Sequence, residues 1–512
     1  MNNYPSRTFW LTLLVIVALL VQYKLPTPTL ETGLIKKWLG MKYDPDEYLA
    51  MRKVDLLSDL RIEKEDLEDD DTDLEMLAQL KNNNPKEIQV VVVEDSTIAS
   101  IDSAASAVYD SLRPKPIHIV FNDTVHSQEG TIEIVDYDDG TGMGIERFYA
   151  ALDHVKERPV RIGFFGDSFI EGDIMTGWLR SMMQSEWGGK GVGYIEIAPE
   201  TAGFRTTVLH RHSGWAMHQW LNKRTFQKNK QSISCHYFTA KGKAWVEGRC
   251  SKFKGAQDFD KTSFYFKARQ SDKIKLVAND SAIHFDCQKA DTIQTLTYQS
   301  QTPLTKARWE LETQDTASIF YGMAMDGNTG IILDNISMRG QSGTQLGGVP
   351  IDHLKSMHKV RKYDLIVLQF GLNVASPNCT KFTKYQQDME QVVRHLHEAY
   401  PEAGFLIISV GDRRYKHDGR MVTMPGVKHL CLYQQSLAAQ TKTSYWNMLD
   451  AMLQMGGIDS MANAKPSLAN MDYTHINFRG GKQVATKLFE AIKAGKDHYD
   501  RKQAYIQGLK KE

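Results

Sequence analysis

The sequence predicts an α/β protein, a three-layer fold with a parallel β-sheet, that is interrupted by an all-β sandwich. Three observations predict this class. A buried strand, a tight turn and an amphipathic helix follow one another over residues 160–187. Short β-type runs then fill residues 201–330, separated by turn formers at the roughly 8–12-residue spacing typical of a sandwich. Beyond Gly330, strands and helices alternate again, as in a parallel sheet covered by helices on both faces.

The first 24 residues predict a transmembrane signal anchor with a short cytoplasmic tip. From Thr8 to Tyr23 the chain carries no charge, and Arg7 and Lys24 flank this run. The run is shorter than the roughly 20 residues of a spanning helix and longer than most signal-peptide cores. Because no small-residue cleavage site follows it, we expect an uncleaved single-pass anchor, with the bulk of the chain extracytoplasmic. Cleavage is the alternative, and the flanking charges do not settle the orientation.

Residues 25–143 predict an extended acidic tether. Between Asp44 and Glu75 there are 14 acidic residues and four basic ones. The sequence Asn-Asn-Asn-Pro at residues 82–85 ends any helix that the leucines of this segment begin. A solvated linker of this length would let a folded domain work well away from a bilayer.

The α/β domain is predicted in two pieces, residues 144–200 and 331–500, with the sandwich inserted at residues 201–330. In the first piece we expect a strand between two helices, at residues 148–155, 160–165 and 174–187. In the second piece we expect strands at residues 331–337, 365–370 and 405–410, and helices at residues 385–399, 428–440 and 480–494. In the insertion the expected strands are residues 232–239, 244–248, 263–268, 274–278, 282–287, 293–298, 307–312 and 317–325.

A serine, a histidine and an aspartate stand where nucleophilic catalysis needs them. Gly166-Asp167-Ser168 lies at the carboxyl end of the first predicted strand, where open parallel sheets place their ligands. A serine hydroxyl is activated by an imidazole within hydrogen-bond reach, and a carboxylate fixes the tautomer of that imidazole. Asp472-Tyr473-Thr474-His475 supplies both groups in one loop just before the last predicted helix. Ser168, Asp472 and His475 are therefore the candidate catalytic residues.

Two further loops are candidates for an oxyanion hole. Asn373 follows the strand at residues 365–370, and its side-chain amide can donate a hydrogen bond to an oxyanion. Residues 338–344 read Met-Arg-Gly-Gln-Ser-Gly-Thr and also follow a strand. A glycine there offers a backbone N–H, and the N–H of Ser168 is a further donor. The alternative is that these glycines only form tight turns.

In this order the four segments resemble the SGNH (GDSL-type) hydrolase superfamily, whose fold is flavodoxin-like. The resemblance covers roughly residues 145–200 and 331–500. It implies that Ser168 is the nucleophile with Asp472 and His475 as its relay, and that Gly343 and Asn373 complete the oxyanion hole. The glycine block lacks the leading Asn of the family, so Gly340 competes with Gly343 for this role. Asn373 is followed by Val374 where many members carry Asp.

The position of the insertion is similar to that in bacterial peptidoglycan O-acetylesterases and related O-acetyltransferases. In those proteins a sandwich resembling a carbohydrate-binding module splits the SGNH domain. The resemblance implies a serine esterase that hydrolyses small acyl esters, acetyl above all, on cell-envelope polysaccharide or peptidoglycan in the periplasm. An O-acetyltransferase served by a membrane acyl donor protein is one alternative. A non-catalytic glycan-binding protein on a hydrolase scaffold is another.

Three side chains outside these blocks are candidates for substrate binding. Trp215 lies in a cluster with His210, His212, His218 and Trp220 and would stack on a sugar, with ordinary packing as the alternative. Arg413 and Arg414 follow the strand at residues 405–410 and would hold an anionic glycan or a peptide carboxylate, with a solvated loop as the alternative. The histidine cluster lacks nearby acidic or thiol ligands, so we expect no metal.

Composition argues against several other classes of protein. Lys+Arg and Asp+Glu both total 62, so the chain lacks the basic surplus typical of nucleic-acid binding. The five cysteines form no CxxC pair, which argues against a zinc ribbon or a redox motif. Cys235 and Cys250 are the pair that could bridge within the insertion. Acyl transfer through serine needs no cofactor, and none is expected.

Overall fold

The computed structural model describes residue 121 and residues 123–220, 224–312 and 316–509. Within these ranges the helices are α1 (Glu146–Leu152), α2 (Thr176–Trp187), α3 (Ile351–Val360), α4 (Thr383–Ala399), α5 (Pro425–Thr441), α6 (Met448–Gln454), α7 (Gly457–Asn463) and α8 (Phe478–Leu509). The strands are β1 (Val135–Asp136), β2 (Pro159–Gly166), β3 (Gly193–Glu196), β4 (Val208–Gln219), β5 (His236–Cys250), β6 (Phe259–Lys267), β7 (Asp272–Ala278), β8 (Ser281–Cys287), β9 (Gln294–Leu304), β10 (Lys306–Leu311), β11 (Ile319–Asp326), β12 (Gly330–Ser337), β13 (Leu365–Gln369), β14 (Gly404–Ile408), β15 (Arg414–His417), β16 (Arg420–Thr423) and β17 (Ser444–Trp446).

Five parallel strands form the central sheet of the α/β part. The order across the sheet is β1-β17-β14-β13-β2-β12, and only the edge strand β1 is antiparallel to its neighbour. Numbered along the chain, the parallel strands therefore run 2-1-3-4-5, which is the flavodoxin-like order. In this order the chain changes direction across the sheet between β2 and β13, which places a crevice at their carboxyl ends.

Both faces of this sheet are buried, because its strands are apolar at nearly every position. Ile162 and Phe164 of β2 pack in one cluster with residues of α1, α2 and α8. Ile366 and Leu368 of β13 pack on the other face with residues of α3, α4 and α5. The result is the three-layer arrangement that the sequence predicts for this part of the chain.

The segment between β2 and β12 contains an antiparallel sandwich. Its strands are paired in the order β8-β7-β10-β5-β11-β6-β9, with β3 added to β11 and β4 added to β5. Phe264, Trp309 and Phe320 lie in its core, which is separate from the two cores of the α/β part. The long strand β5 contributes to both layers, pairing with β10 near its end and with β11 at Phe238.

A buried ion cluster joins the sandwich to the parallel sheet. The guanidinium of Arg361, which is 1% exposed, pairs with Asp326 of β11 and Asp334 of β12. Asp334 Oδ1 also accepts the backbone N–H of Tyr194 in β3 at 2.8 Å. Because a buried charge without partners is costly, these contacts favour one arrangement of the two parts.

Several boundaries differ from those predicted. Strand β1 falls within residues 25–143, the predicted tether, and pairs with β17. Strand β3 precedes residue 201 and yet belongs to the sandwich through β11. Helix α8 continues to Leu509 instead of ending at residue 494, and Tyr499 in its extension packs against Tyr149 with ring centroids 6.0 Å apart.

The remaining differences come from strands whose patterns are weak. Strand β4 was not predicted, because most of its residues are exposed or half-buried, many of them are polar, and they show no clean alternation. The two runs predicted at residues 232–239 and 244–248 are largely one strand, β5. Cys235 and Cys250 are both free thiols, so the bridge considered for them is not formed.

The predicted anchor at residues 1–24 lies outside the described residues. None of the helices in the described ranges has both the length and the apolar character to cross a bilayer.

Candidate active site

The candidate catalytic residues meet at the carboxyl edge of the parallel sheet. Ser168 follows β2 and Asn373 follows β13, so the two flank the point where the strand order changes direction. The loop at residues 338–344 follows β12, the neighbour of β2 on the other side. This crevice is where open parallel sheets bind their ligands.

Ser168, His475 and Asp472 form one hydrogen-bonded line. The Oγ of Ser168 lies 3.0 Å from Nε2 of His475, although the two residues are 307 positions apart. Nδ1 of His475 lies 2.7 Å from Oδ2 of Asp472. The imidazole side chain is 35% exposed and the Asp472 side chain 4% exposed. A buried carboxylate therefore holds a histidine whose other nitrogen reaches the serine.

The loop that carries the acid and the base is held by its own hydrogen bonds. Oδ1 of Asp472 accepts the backbone N–H groups of Thr474 and His475, each at 3.0 Å. Tyr473 between them takes a left-handed backbone, with φ of +54°. Burial raises the pKa of Asp472, but the hydrogen bond and charge of His475 outweigh this and leave that pKa below its usual value. Asp472 is therefore an ionised acceptor at neutral pH.

The turn after Ser168 is not the start of a helix. Helix α2 begins at Thr176, and a short 3₁₀ turn over Glu171–Asp173 separates it from Ser168. Asp173 has a φ of +64°, which interrupts the helical backbone. The N–H of Ser168 therefore does not belong to the first turn of α2.

A buried carboxylate network holds this turn in place. Asp173 is 1% exposed and forms ion pairs with Arg180 of α2 and Arg205, at 3.0 and 2.8 Å. Its Oδ1 also accepts a hydrogen bond from Asn335 of β12 at 2.7 Å. Arg205 lies between β3 and β4, so the inserted segment directly contacts the turn after Ser168.

The two predicted oxyanion loops are hydrogen-bonded to each other. Nδ2 of Asn373 donates to the backbone oxygen of Gln341 at 2.8 Å. Gly343 is buried and has a φ of +91°, and a Cβ at this position would lie 2.7 Å from the ring of Phe370. Gly340 also has a positive φ, +72°, but it is only half-buried. Gly343 is thus the glycine of this loop that the fold encloses.

Glu171 and Arg339 are neighbours of the triad that the sequence analysis missed. Nη1 of Arg339 donates to Oε2 of Glu171 at 2.8 Å, and Arg339 keeps 46% of its side chain exposed. Burial raises the pKa of Glu171, while Arg339 and His475 lower it. The sequence did offer a sign that each residue lies near the site. Glu171 follows Ser168 by three residues, and Arg339 lies in the glycine block at residues 338–344.

The three residues predicted to bind substrate have other partners. Nη1 of Arg413 donates to the backbone oxygens of Leu372 and Ala375, both at 3.2 Å, so it holds the turn that carries Asn373. Arg414 is paired with Asp412 and Asp459. Trp215 is 9% exposed and packs in the sandwich core. Its indole N–H donates to the backbone oxygen of Trp245 at 2.8 Å. Trp215 therefore takes part in ordinary core packing, which was the alternative to sugar stacking.

The buried aspartate of the Gly-Asp-Ser block supports the turn that carries Ser168. Asp167 is fully buried, and its Oδ1 accepts the backbone N–H of Phe169 at 3.1 Å. Its own backbone N–H donates to the backbone oxygen of Gln369 in β13 at 3.2 Å. Burial raises the pKa of Asp167 to about 6, although nearby donors and the charge of His475 act in the opposite direction.

No protein-family model matches the chain, and no curated protein matches it in sequence. Among solved structures, a peptidoglycan O-acetylesterase matches with a TM-score of 0.57 and 21% sequence identity, over 71% of this chain and 99% of that chain. A family two carbohydrate esterase from Clostridium thermocellum, in complex with cellohexaose, matches with a TM-score of 0.25 and 11% identity, over 51% of this chain and 94% of that chain. A family two carbohydrate esterase from Cellvibrio japonicus matches with a TM-score of 0.23 and 9% identity, over 57% and 99%. The chain shares its fold with the peptidoglycan O-acetylesterase.

Proposed function

We propose that this protein is a serine esterase of the SGNH class that removes small acyl groups, acetyl above all, from hydroxyls of cell-envelope polysaccharide or peptidoglycan. One observation carries the proposal: the hydrogen-bonded line from Ser168 through His475 to Asp472. Nucleophile, general base and orienting carboxylate are the three parts that acyl transfer through serine requires.

In the first half-reaction, Oγ of Ser168 attacks the carbonyl carbon of the ester and its proton passes to Nε2 of His475. Asp472 stabilises the imidazolium that forms, because its carboxylate stays ionised against Nδ1. When the tetrahedral intermediate collapses, His475 gives the proton to the leaving sugar alkoxide. Water then attacks the acyl-serine with His475 again as base, which releases acetate and restores Ser168.

The oxyanion of each tetrahedral intermediate needs donors that are in place before the reaction. We assign this role to the backbone N–H groups of Ser168 and Gly343 and to the side-chain amide of Asn373. The Asn373 amide has two N–H bonds, and only one of them is needed for its contact with Gln341. Loss of one such donor costs about 10²–10³ in rate.

The choice of substrate rests on the shared fold and on the sequence. A solved structure that shares this fold is a peptidoglycan O-acetylesterase, which supports an acetylated envelope glycan as substrate here. We propose also that residues 8–23 anchor the enzyme in the inner membrane with its catalytic part in the periplasm. Protease treatment of spheroplasts would test this: the catalytic part should be degraded without lysis, and protection until lysis would contradict the placement.

The proposed reaction is tested by acetate release. Full-length protein should hydrolyse p-nitrophenyl acetate and release acetate from O-acetylated peptidoglycan, and a fluorophosphonate probe should label Ser168. Ser168→Ala should abolish all three signals. Ser185→Ala is a matched control on the exposed surface of α2 and should retain them. Undiminished acetate release by the Ser168→Ala variant would refute the proposal.

A further inference from the structure

A surface cleft of about 660 Å³ opens on the inserted sandwich beside strand β4. One wall is made by the segment of residues 198–203, whose residues are mostly small and whose one charged lining side chain is Glu200. The other wall includes Arg211 and His212 of β4 and Trp245 of β5. We call this feature the insert cleft.

The first wall of the insert cleft continues directly into the nucleophile turn. Phe204 follows that wall, and its backbone oxygen would lie 3.5 Å from a Cβ built on Gly172. The next residue, Arg205, donates from Nε to the buried Asp173 at 2.8 Å. Gly172 and Asp173 lie four and five residues after Ser168. The cleft wall and the catalytic turn are therefore fixed to each other by packing and by a buried ion pair.

Charges in the triad and in the insert cleft both act on Glu171. Burial raises the pKa of Glu171, and the carboxylate of Glu200 in the cleft raises it further. The same Glu171 responds to the charge of His475, which lowers its pKa. Glu171 therefore responds to charges of both the triad and the cleft.

The lining of the insert cleft suits an uncharged ligand rich in hydroxyl groups. Burial lowers the pKa of His210 to about 3 and also lowers that of His212, so both imidazoles are neutral at neutral pH. Glu200 and Arg211 contribute charges of opposite sign. The ring of Trp245 is held by the guanidinium of Arg308, which lies 3.8 Å from its centroid. An aromatic ring with two neutral imidazoles in the same lining matches the apolar face and hydroxyl edge of a sugar.

We propose that the insert cleft is a second sugar-binding subsite of the active site, which holds one unit of the same glycan chain whose acyl ester lies at Ser168. This inference rests on the proposed function, because it names the part of the substrate that the sandwich recognises. It predicts that the enzyme distinguishes a polymeric glycan ester from a small ester through residues that are remote from the triad.

The test compares two substrates on full-length protein. Trp245→Ala and the milder Glu200→Gln should each lower kcat/KM on O-acetylated peptidoglycan by about tenfold, through KM, since each removes binding contacts that only the polymer makes. Both variants should hydrolyse p-nitrophenyl acetate at the wild-type rate. His284→Ala, an exposed change on β8 of the same sandwich, is the matched control and should leave both substrates unaffected.

Each outcome has one meaning. A loss on the polymer alone supports the subsite. An unchanged kcat/KM on the polymer in both variants overturns it, and so does an equal loss on both substrates with either variant. If wild-type protein hydrolyses neither substrate, the proposed function fails, and the subsite is then tested by calorimetric binding of peptidoglycan oligosaccharides. Trp245→Ala should weaken this binding about tenfold. Absence of binding by the wild type would refute the subsite.

Discussion

Replacement of Asp472 with asparagine should reverse the tautomer of His475. Oδ1 of Asp472 accepts two backbone N–H groups at 3.0 Å, and Oδ2 faces Nδ1 of His475 at 2.7 Å. An asparagine here must keep its oxygen at the Oδ1 position, because an NH₂ group cannot accept those two bonds. Its NH₂ group then faces Nδ1 and makes that nitrogen the acceptor. The proton of the neutral ring moves to Nε2, the atom that must accept the proton of Ser168.

The size of the effect follows from these contacts. Turning the amide over would forfeit two hydrogen bonds of about 1 kcal/mol each, so the inactive orientation is favoured by about 2 kcal/mol or more. An imidazole held in the wrong tautomer costs about 10⁴ in kcat, which corresponds to about 5 kcal/mol of transition-state stabilisation. The fold should survive, because the two backbone N–H groups keep an acceptor.

Two measurements check this prediction: kcat on p-nitrophenyl acetate, and the ¹⁵N chemical shifts of the His475 ring. Asp123→Asn is the matched control, since Oδ2 of Asp123 also lies 2.7 Å from a histidine Nδ1, that of His498 in α8, and neither residue belongs to the triad. The control should retain activity. The reasoning is refuted if Asp472→Asn keeps more than about a tenth of the wild-type kcat, or if its His475 remains protonated on Nδ1 in the neutral ring.

Three further changes test other parts of the site. Gly343→Ala should lower kcat by about 10²–10³, because the φ of +91° and the adjacent phenyl ring leave no room for a Cβ. Gly347→Ala is the control: its Cβ would meet its nearest neighbour at 3.5 Å, so it should be close to wild type in the same assay. Burial raises the pKa of Asp167 from 3.8 to about 6, so the folded state binds this proton more tightly than the unfolded state. The wild type should therefore lose about 3 kcal/mol of unfolding free energy relative to Asp167→Asn as the pH rises from about 3 to about 7, and parallel denaturant-derived stability profiles would contradict this. Arg205→Met removes one of two guanidinium partners from a buried carboxylate and should lower the unfolding free energy by about 3 kcal/mol, measured by urea denaturation; a change below about 1 kcal/mol would mean that the ion pair is not needed.

Much of the candidate site could be predicted because its chemistry is local. Gly-Asp-Ser after an apolar strand and Asp-x-x-His before a helix each place their side chains within a few residues of a predictable strand or helix end. The strands of the parallel sheet are apolar on both faces, so their sequences mark them clearly. Strand β4 escaped prediction for the opposite reason, since it lies at the edge of the sandwich and exposes much of its length.

Arg413, Arg414 and Trp215 show where such reasoning stops. An arginine after a strand is free to bind substrate only if no carbonyl or carboxylate of the protein takes its donors. Nη1 of Arg413 donates to two backbone oxygens, and Arg414 pairs with Asp459, so groups elsewhere in the chain take some of these donors. Trp215 faces the sandwich core, which depends on the pairing of β4 with β5. The ion pair of Arg339 with Glu171 also joins two segments that are far apart in the sequence.

The sequence by itself predicted which residues carry nucleophile, base and acid chemistry, and it predicted the alternation of strands and helices in the parallel-sheet part. It also predicts the membrane anchor, which lies outside the described residues and stays a prediction. Only the tertiary structure decided that Ser168 and His475 meet across 307 positions. It also decided that Arg205 of the inserted segment binds Asp173 in the turn after Ser168. Propensity and hydrophobic period act over a few residues. The partners of a buried charge or a half-exposed ring are chosen by chain segments far apart in sequence, which only packing brings together.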